Sequence, residues 1–247
     1  MSLPVLRLPK RVYPRMPKSL PLLEQYPLYA LSFDGVDDYL RVPYSASLNP
    51  QYITLEAWGY FRDLTDYKIL FARGTTIYAS TLAPWNVAPT SSAIYFYFSV
   101  GGTMRSVSYS FAVPLNTWLH IAATYDGSYG RLYVNGVLRA TSSLYSGVLD
   151  TSTNPLYVTH PTSPRILNGF LALPRIYNRA LSLAEIQRNI RNPLNPVRDG
   201  LVLWLPMVEG SGTNVRDFSG YGNNGTLYNG VGWRELAKWE LPAAAGL

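Results

Sequence analysis

The sequence predicts an all-β protein: a sandwich of two antiparallel sheets with one short helix and an extended N-terminal arm. Three observations lead there. The 247 residues include 19 glycines and 19 prolines, which suits a turn-rich β protein rather than a helical bundle. Segments of alternating apolar and polar residues recur, broken by turn signals every ~8–12 residues. Helix signals are confined to a single stretch. The apolar fraction, 47%, is ordinary and can fill a full core.

Taken in chain order, residues 1–29 stand apart. They hold five basic residues (Arg7, Lys10, Arg11, Arg15, Lys18) against one acid, Glu24, so +4 of the net +6 lies here. Prolines at 4, 9, 14, 17, 21 and 27 fix φ and remove donors, which excludes helix and favours polyproline II. Apolar anchors distinguish the arm from a solvated linker. Its assembly segment is read as Val5, Leu6, Arg7, Leu8, Arg11, Val12, Tyr13 and Arg15. At ~3.1 Å per residue such an arm can cross a domain of this size and reach a neighbour. Wrapping its own domain and docking on another subunit both remain open. Nucleic acid is not an expected partner, because only Tyr13, Tyr26 and Tyr29 are available there for base stacking. No signal peptide is expected, since prolines interrupt any apolar helix. No membrane span is expected either: the longest uncharged stretch, 74–104, contains Pro84 and Pro89.

From residue 30 strands and turns dominate. Ile94, Phe96, Phe98 and Val100 share one face of a strand, and Tyr95, Tyr97 and Ser99 the other. Gly101-Gly102 turns that strand into 103–111. Residues 118–125 form a further strand, ended by Asp126-Gly127. Asn135-Gly136, with the two positive φ values of a type I′ turn, joins 131–134 to 137–139. The helix begins at Ser182, whose pairing with Glu185 makes a capping box, carries Leu183, Ile186 and Ile190 on one face, and stops at Asn192-Pro193.

These segments resemble a known family. Ala30–Leu40 (ALSFDGVDDYL), Ile53–Trp58 (ITLEAW), Trp118–Gly127 (WLHIAATYDG), Arg131–Val137 (RLYVNGV) and Arg175–Ser182 (RIYNRALS) are similar, in order, to the LamG-like domains. Those are jelly rolls of the concanavalin A-like lectin/glucanase superfamily. The resemblance implies two sheets of six or seven strands each. Gly200–Pro206, Glu209–Thr213 and Asp217–Thr226 resemble the segment that usually opens the domain, yet here they close the chain. Either the domain is circularly permuted, with 200–247 completing the 30–247 sandwich, or these strands complete a neighbour. The short connection 197–200 favours folding back.

Chemistry-bearing patterns are few. The chain has no cysteine, which excludes disulfides, thiolate metal sites and cysteine catalysis. Glucanase chemistry needs two carboxyls on one strand face, and no strand offers acids at i, i+2 or i, i+4, so no catalytic residue is assigned. His120 reads as a hydrogen-bonded core or interface residue, and His160 lies in a loop. No cofactor is expected. A structural Ca²⁺ would draw on Asp34, Asp37 or Asp217, although Asx-type turns account for the same residues. Asn224-Gly225-Thr226 is a formal glycosylation sequon inside such a turn. A sugar would meet aromatic platforms, here Tyr78, Trp85, Tyr95 and Tyr97.

Charged residues are 15% of the chain against roughly 25% in an average domain, and 20 tyrosines dominate the 34 aromatics. Interfaces favour Tyr and Arg and are poor in Lys and acids. The sequence therefore points first to a non-enzymatic, self-assembling structural subunit of a virion (capsid, decoration or appendage) or surface filament. Its partners would be copies of itself and other virion or surface proteins. The alternative is a lectin-like carbohydrate-binding module.

Overall fold

The computed structural model describes residues 27–73, 84–161, 165–237 and 240–241. The arm segment from Val5 to Arg15 and Tyr78 lie outside the described residues. Along the chain run β1 (Leu28–Asp34), β2 (Tyr39–Val42), β3 (Ile53–Phe61), β4 (Phe71–Arg73), β5 (Trp85–Pro89) and β6 (Ala93–Val100). There follow β7 (Thr103–Ser110), β8 (Trp118–Tyr125), β9 (Gly130–Val134), β10 (Val137–Thr141), β11 (Leu156–Val158) and β12 (Asn168–Tyr177). After helix α1 (Leu183–Arg191) come β13 (Leu201–Trp204), β14 (Asn214–Val215), β15 (Gly225–Tyr228) and β16 (Gly232–Leu236).

The strands form two eight-stranded antiparallel sheets, each larger than the six or seven strands implied by the resemblance. Sheet A runs β10-β9-β8-β3-β12-β1-β16, with β13 also paired to β12; sheet B runs β14-β15-β2-β11-β4-β5-β6-β7. The alternation in β6 sets its face: Ile94, Phe96 and Phe98 are fully buried between the sheets, and Tyr95 and Tyr97 stand half-buried outside. Gly101 and Gly102 (φ +59° and +74°) make the β6–β7 turn, and Asn135 and Gly136 (φ +50° and +73°) the β9–β10 turn. Leu31, Phe33, Leu55, Phe71, Trp85, Phe96 and Tyr125 belong to the core between the sheets, each large side chain contributing roughly 1.5–3 kcal/mol by burial.

The interior strands of sheet A are buried on both faces, which is why β8 has no exposed position. Its outer face carries Trp58, Trp118 and Tyr177, and Ile186 and Ile190 of α1 pack there with Val197 and Trp204. The capping box forms: Ser182 N donates to Glu185 Oε2 (2.8 Å) and Glu185 N to Ser182 Oγ. Residues 201–236 enter both sheets. β13 pairs with β12, β16 with β1, and β15 with β2.

Candidate functional site

Each outer face of the sandwich presents polar groups, in different states. On sheet A, Glu56, His120 and Arg175 lie under α1 and are fully buried. Glu56 Oε1 accepts from Arg175 Nη1 (2.6 Å) and Asn189 Nδ2 (2.9 Å). Asn189 also reaches the Tyr177 hydroxyl (2.9 Å), and Arg175 donates to the Pro193 carbonyl. Burial holds the Glu56 carboxyl above its ordinary value despite the Arg175 charge. His120 sits edge-on to Trp58, with Nε2 3.8 Å from Glu56 Oε2. Neither of its ring nitrogens has a hydrogen-bond partner, so the expected core placement holds and the expected hydrogen bond does not. Burial, then the Arg175 charge, pushes the imidazole down to about 3. A sealed carboxylate beside a neutral histidine has no access to substrate.

The outer face of sheet B is built differently. One row of directly paired residues crosses seven strands: Thr226, Arg41, Tyr157, Ala72, Asn86, Tyr97 and Ser106. Its centre is closed, since Ala72, Asn86 and Ala88 are fully buried and Ile69 packs with the two alanines. Tyrosines flank that centre. On one side Tyr67 meets Tyr95 (5.4 Å between ring centroids) and Tyr95 stacks on Tyr97 (5.6 Å, 11° between planes). On the other, Tyr39 stacks on Tyr228 (4.8 Å, 11°) and meets Tyr157 edge-on (5.7 Å). All six rings are half-buried. No strand of sheet B contains Asp or Glu.

Of the aromatic positions expected to meet a sugar, Tyr95 and Tyr97 therefore share a surface. Trp85 must be withdrawn: β5 turns it inward, its register partner is Phe98, and its side chain is fully buried in the core. Tyr39, Tyr157 and Tyr228 were missed. Their signal is the apolar neighbour on the strand, Leu40, Leu156 and Leu227, each buried while the tyrosine faces out.

The acidic positions separate as well. Carboxylate oxygens of Asp34, Asp37 and Asp38 lie within 4.8 Å of one another, and this trio could hold a cation. Asp34 Oδ1 already accepts from Val36 N (2.8 Å), and Asp38 Oδ2 from Asp34 N (3.0 Å). That is turn chemistry, and it leaves four of the six carboxylate oxygens, Asp38 Oδ1 among them, against the six to eight oxygens that Ca²⁺ takes. Burial, with Asp34 and Asp37 nearby, raises buried Asp38 to about 6. Asp217 is corrected. Its carboxylate accepts from Trp204 N, Ser219 N, Ser219 Oγ and Asn223 N, so its lone pairs hold the 217–224 loop and are spent there.

The model of the concanavalin A-like lectin/glucanases superfamily matches residues 34–187. Among solved structures the chain is similar to a candidate carbohydrate-binding protein from Bacteroides ovatus ATCC 8483, at 20% identity and a TM-score of 0.66. That alignment covers 85% of this chain and 60% of the other, so the chain spans about 60% of its length. A heptameric SAP-like pentraxin from Limulus polyphemus aligns at 12% identity and TM-score 0.47, covering 64% of this chain and 80% of that one. Domains LG4-5 of the mouse laminin alpha1 chain align at 15% and 0.49, covering 63% and 44%. No curated protein matches the chain. No helix among the described residues is long and apolar enough to cross a membrane.

Proposed function

The chain belongs to the concanavalin A-like lectin/glucanases superfamily, and we propose that it is a non-enzymatic carbohydrate-binding module acting through the outer face of sheet B. The observation that carries this is two groups of half-exposed tyrosines on a sheet whose strands hold no carboxylate. A tyrosine ring offers a flat apolar face that the C–H face of a pyranose can cover, with a hydroxyl at its edge. No described strand carries two carboxyls, the Asp34–Asp38 trio holds its own turn, and Glu56 is committed to Arg175 and Asn189, so no carboxyl pair is set up for retaining or inverting hydrolysis. The name of the Bacteroides ovatus relative agrees with the reading. A glycan array with the full-length protein tests it, followed by calorimetry on Tyr97→Ala and Tyr157→Ala. Loss of one stacking ring is expected to weaken binding about tenfold, a change of about 1.4 kcal/mol. Absence of any glycan binding, or unchanged affinity in both variants, sinks the proposal.

A second reading keeps the assembly role, with the protein on a virion or an extracellular surface. It rests on the free edge of sheet A, where β10 exposes Val137 and Leu138, with exposed Leu144 and Val148 in the segment that follows, and on the basic, leucine-rich residues 1–29. Sedimentation of the full-length protein and of a 27–247 variant tests it. Concentration-dependent oligomers that require residues 1–26 are expected, and a monomer in both cases rejects the role.

A further inference from the structure

Sheet B carries three charged residues on its strands, all arginines: Arg41, Arg73 and Arg105. Two are committed. Arg73 donates to the Asn49 side chain (3.1 Å) and the Ser152 carbonyl (2.7 Å), and Arg105 lies over the Tyr145 ring (4.8 Å). Arg41 is different. Leu40 and Val42 on either side of it are fully buried in the core, so the alternation of β2 sends Tyr39 and Arg41 to the outer face. There Arg41 lies between Thr226 and Tyr157 in register, one row from the stacked Tyr39 and Tyr228. It is half-buried, and among the described residues it makes no hydrogen bond, ion pair or ring contact. None of its nitrogens is among the buried unpartnered atoms: the stem is covered by its neighbours while the guanidinium reaches solvent, so its five donors are open to an acceptor from outside.

We infer that Arg41, with Tyr39, Tyr157 and Tyr228, forms a subsite for an acidic sugar unit of a polysaccharide, a uronate or a sulfated pyranose. This deepens the carbohydrate reading and rests on it. The tyrosines take the ring face. The Arg41 fork takes a planar carboxylate, or two oxygens of a sulfate, in a bidentate pair. No strand of the sheet carries Asp or Glu, and Arg41 has no ion-pair partner among the described residues; the acidic turn Asp34, Asp37 and Asp38 lies beyond the Tyr39 end of the subsite. The chain's own N-terminal arm does not suit this surface, because its five cations against one acid meet another cation.

The test uses the full-length protein and three polymers of matched length: polygalacturonate, dextran sulfate and neutral dextran. Calorimetry compares the wild type with Arg41→Gln, Arg41→Lys and the control Arg188→Gln, which removes an exposed helix cation. At least one acidic polymer is expected to bind tenfold or more tighter than dextran, and its identity tells carboxylate from sulfate. Arg41→Gln should abolish that preference while leaving the melting temperature unchanged. Arg41→Lys should restore it in part, and Arg188→Gln should not alter it. Binding of dextran as tight as of both acidic polymers overturns the inference and leaves the carbohydrate reading standing. Equal losses in Arg41→Gln and Arg188→Gln also overturn it, since attraction would then come from overall charge. If none of the polymers binds and the glycan array is blank, both fall.

Discussion

His120 makes the stability of this sandwich depend on pH in a calculable way. The folded chain keeps the imidazole neutral down to about 3, against 6.5 for the unfolded residue. The sign follows from proton uptake. Below pH 6.5 the unfolded chain binds a proton that the folded chain refuses, so stability falls as the pH drops from 6.5 toward 3. From the two values the loss is about 0.2 kcal/mol at pH 7 and about 2 kcal/mol at pH 5. For a domain of this size, about 2 kcal/mol lowers the melting temperature by about 4–8 °C. Glu56 and Asp38 act in the opposite direction, because burial raises both and the folded chain takes up their protons first. The measurement is therefore a difference: thermal melts of wild type and His120→Gln at pH 7 and pH 5. Gln keeps a neutral polar group beside Glu56 and removes the titration. The wild type should lose about 2 kcal/mol more than the variant over that interval. Parallel pH slopes for the two proteins would refute the burial account of His120.

Three further outcomes are expected. Arg179 and the helix cap hold the Glu185 carboxyl down at about 2, so its contribution is complete above the unfolded value of 4.5 and is lost as the pH falls through 2; Glu185→Gln should cost about 1 kcal/mol in urea unfolding at pH 7, after allowance for its partial exposure, and only a small part of that at pH 2. Gly169 has φ +151°, and a Cβ there would sit 1.9 Å from the Tyr60 carbonyl oxygen; Gly169→Ala should destabilise by about 3 kcal/mol or more, and a calorimetric melt within a degree or two of wild type would contradict the β3–β12 packing. Ending the chain at residue 199 removes β13 to β16 together with the buried Val202, Leu203, Trp204, Val215 and Leu227; a fragment without a cooperative melt is expected, whereas a stable, soluble one would mean that these strands are not part of its own core.

What was legible in the sequence was local. The 94–100 alternation, the Asn135-Gly136 turn and the Ser182–Glu185 box each fix geometry within a few residues, and each forms as read. Trp85 shows where that reasoning stopped. It follows Pro84 in an uncharged stretch that looks like loop, yet Trp85 and Val87 alternate with Asn86, the inward phase of a strand. The cluster of Tyr39, Tyr157 and Tyr228 could not be assembled from local signals, because its members lie on β2, β11 and β15 and only the sheet order makes them neighbours. The same holds for Glu56 and Arg175, 119 residues apart.

Placement of α1 decides which face can bind. The chain leaves β12, a strand in the interior of sheet A, and Thr54 ties down the approach: its hydroxyl donates to the Arg179 carbonyl and accepts from Leu181 N, both at 2.8 Å. The helix must then fall on the outer face of sheet A, where its apolar stripe covers Trp58 and Tyr177 and seals Glu56 and His120 from solvent. That seal converts titratable groups into stability terms and removes them from any ligand. No helix among the described residues covers sheet B, so its outward positions stay available on both flanks of the closed centre. They are filled by tyrosines and one uncommitted arginine rather than by acids. The low charge of the chain thus has a local meaning: carboxylates are absent from the strands of the sheet that faces outward, and the cation left on that surface is placed beside the rings it would need to select an acidic sugar.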